Sequence, residues 1–250
     1  MKLSELITVK IRLILVLHIL VFFVGCTSSQ IPLYEKNEKV IVLAHGLGRS
    51  DIAIWRFIQR LENAGYTVCT LDYQSIGQRV ESVLAETSMQ IDMCISNATK
   101  VHFVGHSLGG LVIRSYLQDH QLFAHSLRIG QVVLIGTPNN GSEIADHYKG
   151  SWLMELGGGI SKALMTGSTA LGQQLKEIDI NVGVIAGTKN LYLTKNLFDG
   201  PNDGLVSVES TKLVSMSDFI AIEVGHSQMR YNLEVAEQTI HYLQKGTFKH

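Results

Sequence analysis

A serine stands between two glycines near the middle of the chain, in the pentapeptide Gly105-His106-Ser107-Leu108-Gly109. It matches the pattern G-x-S-x-G, in which the serine occupies a sharp strand-to-helix turn and exposes its hydroxyl for nucleophilic attack. An apolar run precedes the pentapeptide and another follows it, as such a turn requires. The alternative is a glycine-rich turn that binds phosphate. Neither G-x-x-x-x-G-K-[ST] nor G-x-G-x-x-G occurs in the sequence, which disfavours it.

Histidine is the residue that most often activates a nucleophilic serine, and a carboxylate commonly orients it. The histidines that follow Ser107 are His120, His125, His147, His226, His241 and His250. Only His226 comes directly after a predicted strand, in the segment EVGHSQM. His241 lies in the predicted last helix and His250 is terminal. We therefore predict that His226 is the base.

A serine, a histidine and an acid that work together form a catalytic triad. When their chain order is Ser, acid, His, the acid stands between the serine and the histidine. Asp203 occupies that interval, in the segment PNDGLVSVES between two predicted strands. Asp199 is the nearest rival and Asp179 a poorer one. A plain turn is the alternative role for Asn-Asp-Gly, because these residues favour turns. We predict that Asp203 orients His226.

An acyl-transfer site also needs backbone N–H donors for the oxyanion that forms on attack. One donor is expected at Leu108, the residue after the serine. The other is expected in the loop of residues 45–48, which follows the first strand of the body. Leu47 is our choice within this loop, and His45 is assigned a structural hydrogen-bonding role.

The elements that must position these residues alternate along the chain. Apolar runs predict strands at residues 39–46, 66–73, 100–106, 131–138, 182–187 and 218–225. Helical spacing predicts helices at residues 51–64, 78–98, 108–119 and 232–244. This alternation favours βαβ units and a mostly parallel central sheet with helices on both faces, an α/β fold. Ligands of such sheets bind beyond the carboxyl ends of the strands, where all the candidate residues fall.

Composition limits the classes of protein to consider. The chain has 250 residues, 46% of them hydrophobic, so it can bury a large core. We expect residues 39–250 to form one domain. The formal net charge of −1 gives no general attraction to nucleic acid, and no nucleic-acid partner is expected.

The first 26 residues differ from the rest. A basic start precedes an apolar run at residues 13–24, which is too short to span about 30 Å of hydrocarbon and fits a secretory signal. The run ends in FVGC, which resembles the lipobox of bacterial lipoproteins except that Phe23 stands where leucine is usual. The resemblance implies lipidation of Cys26, a membrane anchor and a place in the cell envelope, on the periplasmic side of the outer membrane. Residues 27–38 would form a polar tether. An ordinary signal peptide or an uncleaved anchor is the alternative.

Cys69 and Cys94 are the two cysteines of the body. Export would place them in an oxidising compartment, where a disulfide can form, but the sequence leaves the pairing open. Their spacing is not C-x-x-C and gives no support for a metal site.

Five stretches together resemble the bacterial lipase and esterase branch of the α/β-hydrolase superfamily. They are VIVLAHGLGRS, VHFVGHSLGG, LIGTPNNGSE, NDGLVSVES and VGHSQM, spread over residues 40–229. The resemblance implies the α/β-hydrolase fold and hydrolysis of lipid or acyl esters through an acyl-enzyme on Ser107. It implies no cofactor, and we expect a monomer. Some relatives bind structural calcium, but no acidic cluster here supports a metal.

Residues 149–180 contain many apolar residues and the run Gly157-Gly158-Gly159. In the family this region often forms a cap over the serine, and we expect a small cap or lid. The alternative is that these residues simply pack on the body. An acyltransferase, thioesterase or amidase would use the same triad, so these activities stay open. A non-catalytic envelope binding protein is disfavoured because all three triad residues are present.

Overall fold

Six strands form the central sheet of the computed structural model, which describes residues 39–48, 54–119 and 129–250. The strands are β1 (Lys39–Ala44), β2 (Thr67–Thr70), β3 (Lys100–His106), β4 (Ile129–Ile135), β5 (Val182–Gly187) and β6 (Met216–Ile222). Their order across the sheet is β2-β1-β3-β4-β5-β6, and every neighbouring pair is parallel. The predicted parallel sheet is confirmed, with strand ends displaced by a few residues.

Helices connect the strands. They are α1 (Trp55–Asn63), α2 (Val80–Ile95), α3 (Leu108–Asp119), α4 (Glu143–His147), α5 (Trp152–Ala163), α6 (Leu171–Gln174), α7 (Val208–Thr211) and α8 (Leu233–Lys245). Short 3-10 helices occupy Lys195–Leu197 and His226–Tyr231. A core cluster with α2 and α3 covers one face of the sheet, and a second cluster with α1 and α8 covers the other. Helices on both faces of a parallel sheet make this an α/β fold, as the sequence predicted.

Neighbouring residues of one strand divide between the two core clusters. On β1, Val42 packs in the cluster with α3, whereas Ile41 and Leu43 pack in the cluster with α1. All three are fully buried. This arrangement follows from the alternation of side chains along a strand, and it explains why the strand reads as a continuous apolar run.

The predicted helix at residues 51–64 is observed as α1, and its large apolar residues do not all face the core. Trp55 is 53% exposed although it stands at the start of the helix. The buried stripe instead runs through Ile54, Phe57 and Leu61, which are three and four residues apart. Trp55 lies one position off that stripe and therefore faces outward.

Helix α3 carries a buried cation. The guanidinium of Arg114, which is 1% exposed, donates to Asn139 Oδ1 (3.1 Å) and to the carbonyl oxygens of Gly172 (3.1 Å) and Leu175 (3.2 Å). Burial lowers its pKa to about 10, so it remains charged at neutral pH. Asn139 donates in turn to the carbonyl oxygen of Thr211 (2.7 Å). This network ties the segments around α6 and α7 to the helix that follows Ser107.

Cys69 on β2 and Cys94 on α2 form a disulfide, with their Cα atoms 5.9 Å apart. The bond joins the edge strand of the sheet to the helix that follows it. None of the helices in the described ranges is long and apolar enough to cross a membrane. The predicted signal at 1–26 with Cys26 and the predicted tether at 27–38 lie outside the described residues.

Candidate active site

Ser107 occupies the turn between β3 and α3. Its φ is 57°, and among the described residues no other non-glycine residue has a positive φ. The N–H of Ser107 donates to the carbonyl oxygen of Ile135 (2.9 Å), and its carbonyl oxygen accepts from the N–H of Gly110 (3.0 Å). Such a strained conformation persists only where the surrounding structure holds it. Here the bonds to β4 and to the first turn of α3 do so.

The two glycines of the pentapeptide allow the close packing on which this turn depends. A Cβ at Gly105 would lie 2.5 Å from backbone atoms of Gly110. A Cβ at Gly109 would lie 2.2 Å from the carbonyl oxygen of Ala44, at the end of β1. Both distances are far shorter than a van der Waals contact, so any side chain at either position would push α3 away from the sheet.

His226 begins the 3-10 helix that follows β6. Its Nε2 lies 2.9 Å from Ser107 Oγ, and its Nδ1 lies 2.7 Å from Asp203 Oδ2. The backbone of His226 is held at both ends. Its N–H donates to the carbonyl oxygen of Asp203 (2.9 Å), and its carbonyl oxygen accepts from His106 Nε2 (3.1 Å). The imidazole is therefore fixed between the serine and the carboxylate.

Asp203 is buried, with 1% of its surface exposed. Its Oδ1 accepts from the backbone N–H groups of Leu205 (2.9 Å) and Val206 (2.8 Å), which leaves Oδ2 for His226. A carboxylate can only accept, so Nδ1 of His226 carries the proton and Nε2 is free to accept from Ser107. Because both ring nitrogens are engaged, the rival acids Asp179 and Asp199 are not partners of this histidine.

The two residues predicted to supply the oxyanion donors flank the serine. Leu108 is the first residue of α3, where backbone N–H groups have no acceptor within the helix. Leu47 follows β1 and lines the same cavity as Ser107. His45, in the same loop, stacks on Tyr73 with ring centroids 4.2 Å apart, and its Nδ1 lies 3.0 Å from the carbonyl oxygen of Gly46. These contacts hold the His45 ring against Tyr73 and the backbone of its own loop.

A cavity of about 280 Å³ opens in front of Ser107 and His226. Its lining is mainly apolar and includes Leu47, Pro138, Ile144, Ala145, Met154, Leu164, Leu205 and Val206. Polar and charged groups in the lining are Ser142, Tyr148, Ser161, Ser227 and Arg230, besides Ser107, His226 and His106. An apolar cavity beside a serine suits a hydrocarbon chain better than a charged group.

Residues 149–180 contribute both to the cavity and to the core, and their role as a cap stays a prediction. Met154 and Leu164 line the cavity, whereas Leu171 and Leu175 pack in the core cluster on that face of the sheet. Residues 144, 145 and 148 also line the cavity, although they precede the predicted cap. The cavity lining therefore extends to α4 and to the residue that follows it.

Some contacts of the site escaped the sequence analysis. His106 supports the backbone of His226, and its place directly before Ser107 was the available signal. Tyr73 follows β2 at the same sheet edge, so the rule that ligand sites follow strands pointed to it. Within the described ranges, no group of three or more His, Cys, Asp or Glu residues could hold a metal ion.

A family model described as "Domain of unknown function (DUF7379)" matches residues 33–191, more than half of the chain. The matched segment includes Ser107 and ends before Asp203 and His226. Among solved structures, the lipase BlEst2 of Bacillus licheniformis in its mature form is similar at 23% sequence identity and a TM-score of 0.64. The similarity covers 81% of this chain and 91% of that one.

Two further structures share the fold at lower identity. The phospholipase PlaB of Legionella pneumophila is 16% identical with a TM-score of 0.57, over 70% of this chain and 45% of that one. The metagenomic carboxyl esterase MGS0156 is 16% identical with a TM-score of 0.54, over 80% of this chain and 68% of that one. At these identities the similarity shows the α/β-hydrolase fold alone.

Proposed function

This chain belongs to the DUF7379 family of domains of unknown function, and we propose that it is a serine hydrolase that cleaves carboxylic esters of lipids or other acyl compounds. One observation carries the proposal. A continuous hydrogen-bonded series runs from Ser107 Oγ through His226 to the buried carboxylate of Asp203, at the wall of an apolar cavity. Similarity of fold to a lipase, a phospholipase and a carboxyl esterase supports the same reading.

Acylation begins when Ser107 Oγ attacks the carbonyl carbon of the ester and its proton passes to His226 Nε2. Asp203 stabilises the imidazolium through Nδ1. The oxyanion accepts hydrogen bonds from the N–H groups of Leu47 and Leu108. When the tetrahedral intermediate collapses, the bond to the alcohol oxygen breaks. The proton on Nε2 goes to the departing alcohol, and the acyl group remains on Ser107.

Deacylation reverses these roles with water. His226 Nε2 takes a proton from a water molecule, whose oxygen attacks the acyl carbonyl carbon. The same two N–H groups would hold the second oxyanion. Collapse breaks the bond to Ser107 Oγ, which recovers its proton from Nε2, and the carboxylic acid leaves. No cofactor enters the reaction.

The acyl chain would occupy the cavity beneath α4 and α5. With a volume of about 280 Å³, the cavity has room for part of an acyl chain. The apolar side chains of Ile144, Met154 and Leu164 line this cavity. Burial of each methylene would contribute about 0.8 kcal/mol. We propose acyl esters, including lipids, as the substrate class on this ground.

We also propose that the enzyme works in the cell envelope as a monomer, anchored through a lipid on Cys26 to the periplasmic side of the outer membrane. The basic and apolar segment at residues 1–26 supports export. The disulfide between Cys69 and Cys94 suits an oxidising compartment. Mass analysis of the mature N-terminus tests the anchor, since an unmodified or absent Cys26 rules it out.

Hydrolysis of 4-nitrophenyl esters of graded chain length by residues 27–250 tests the proposed reaction. We expect turnover that is lost in Ser107→Ala and in His226→Ala. Activity that survived Ser107→Ala would show that another residue is the nucleophile, and inactivity toward every ester would overturn the proposal. Transfer of the acyl group to an added alcohol or amine in preference to water would instead assign the acyltransferase alternative.

A further inference from the structure

Two hydroxyl groups from one segment hold the loop of residues 45–48. Both belong to the segment that follows β2. The hydroxyl of Tyr73 donates to the carbonyl oxygen of His45, and the Tyr73 ring stacks on the His45 ring at an interplanar angle of 8°. Tyr73 is 3% exposed. Burial raises the pKa of its phenol, so the group keeps its proton and donates at neutral pH.

The second hydroxyl belongs to Ser75, which is 2% exposed. Its Oγ accepts from the backbone N–H of Gly48 at 2.9 Å. The next side chain, Ile76, lies against the same glycine, since a Cβ at Gly48 would be 2.7 Å from Ile76 Cδ1. Gly48 itself has a φ of 62°, in the left-handed region. This end of the loop is therefore held by both a hydrogen bond and an apolar contact.

These two bonds enclose the peptide that carries the Leu47 N–H. One bond fixes the carbonyl group of His45, upstream of that peptide, and the other fixes the N–H of Gly48, downstream of it. The loop has glycine at two of its four positions, and glycine has the widest choice of backbone conformations. Within the loop, His45 Nδ1 lies 3.0 Å from the Gly46 carbonyl oxygen, which belongs to the same peptide as the Leu47 N–H. The other two hydrogen bonds that restrain this peptide come from Tyr73 and Ser75 of the neighbouring segment.

We propose that Tyr73 and Ser75 are positioning residues for the reaction, which aim the Leu47 N–H at the oxyanion formed on Ser107. The inference rests on the proposed function. Gly46 explains why the aim must be close, because a Cβ there would lie 3.0 Å from Ser107 Cβ and the loop passes directly over the nucleophile. If the Leu47 N–H were displaced by a fraction of an ångström from the position of the oxyanion, the enzyme would bind the ester equally well. It would stabilise the oxyanion less well.

The expected signature is a loss of kcat at nearly constant KM. Loss of a whole oxyanion donor costs about 10²–10³ in kcat, so a misdirected donor in Tyr73→Phe or Ser75→Ala should cost about tenfold or more. We expect KM for a 4-nitrophenyl ester to change by less than about threefold, because the acyl cavity is untouched. The double variant should approach the loss of a whole donor.

Matched controls separate positioning from stability. Tyr116→Phe removes a buried tyrosine hydroxyl that donates to Asp92 Oδ1 (2.7 Å), and Thr87→Val removes a buried hydroxyl that donates to the carbonyl oxygen of Val83 (2.7 Å). Neither of these hydrogen bonds involves the loop of residues 45–48, so both control variants should keep the wild-type kcat. Melting temperatures of all four single variants would show whether a change in kcat tracks unfolding.

The outcomes distinguish this inference from the proposal on which it rests. A wild-type protein that hydrolyses no ester overturns the proposed function, and this inference with it. An active wild type whose Tyr73→Phe and Ser75→Ala variants keep kcat within about twofold overturns this inference alone. Equal losses in the two control variants also overturn it. A loss of kcat confined to the Tyr73 and Ser75 variants supports it.

Discussion

His106 Nε2 donates to the carbonyl oxygen of His226 across 3.1 Å, so the residue before Ser107 holds the backbone of His226. Ser107 and His226 are thus connected twice, once through the serine hydroxyl and once through His106. The ring centroids of the two histidines are 5.0 Å apart, and both side chains are buried. The position of His226 relative to Ser107 therefore depends in part on His106, in the same turn as the serine.

Replacement of His106 should therefore lower kcat without removing the reaction. In His106→Ala the carbonyl oxygen of His226 loses its donor, and we expect kcat to fall about tenfold because misplacement of a catalytic group is costly. His106→Gln, which keeps an N–H donor, should recover part of the loss. Steady-state hydrolysis of a short 4-nitrophenyl ester measures both. Unchanged kcat in His106→Ala would show that the bond has no positioning role.

Asp203→Asn tests the assignment of the acid. The amide oxygen can still accept from Leu205 and Val206, but a side-chain NH₂ facing His226 would favour the tautomer in which Nε2 carries the proton. That tautomer cannot accept from Ser107. The corresponding Asp-to-Asn substitution in the trypsin family lowers kcat by about 10⁴, and we expect a loss of similar size. Single-turnover kinetics would measure it. Asp199→Asn is the matched control, since its activity should remain at the wild-type level, and a reversed result would transfer the role to Asp199.

Met154 should control which acyl chains fit. Met154→Trp would fill part of the cavity, so hydrolysis of long-chain esters should fall about tenfold or more relative to short-chain esters, as one methylene in a filled pocket is worth about 10–200-fold. The ratio of kcat/KM for decanoate and acetate esters measures it. Met93→Trp, at a position that is 47% exposed on α2, is the control and should leave the ratio unchanged. A ratio unchanged in Met154→Trp would place the acyl chain elsewhere.

His102 should make stability depend on pH. Burial, followed by repulsion from Lys100 and Lys39, lowers the pKa of His102 from 6.5 to about 4. The unfolded chain binds this proton more readily than the folded protein. The contribution of neutral His102 to the free energy of unfolding is therefore fully present above pH 6.5, and it is lost as the pH falls through about 4. The loss amounts to about 3 kcal/mol at 1.36 kcal/mol for each unit of pKa.

Denaturant unfolding between pH 7 and pH 4 measures this dependence. His102 Nδ1 accepts from the N–H of Gln131 (3.0 Å), and His102→Asn keeps an acceptor there while removing the titration. We expect the free energy of unfolding to change less with pH in His102→Asn than in the wild type. The exposed His147→Asn is the control and should retain the wild-type slope. Equal slopes in the wild type and His102→Asn would contradict the account.

The fold and the catalytic constellation could be read from the sequence because their signals are local. An apolar run predicts a buried strand without knowledge of its neighbours, and the carboxyl ends of parallel strands meet at one edge. Ser107, Asp203 and His226 each follow such a run or precede one, which is why the pattern brought them together before any distance was known.

The contacts that hold these residues depend on groups far apart in the chain. Arg114 is a charged residue within an apolar helix, and its burial became understandable only with the carbonyl groups of Gly172 and Leu175 in place. Nothing in the sequence near Ser75 indicates that its hydroxyl accepts from the N–H of Gly48. Such pairings follow from the packing of loops, for which the periodicity of the sequence has no signal.

Reaction with a fluorophosphonate tests most directly the proposal that Ser107 is an activated nucleophile. Mass spectrometry of the digested protein should find a single adduct on Ser107. His226→Ala should slow its formation by about two orders of magnitude or more, because the base that activates the serine is gone. Absence of an adduct on Ser107, or labelling at the same rate without His226, would contradict the account.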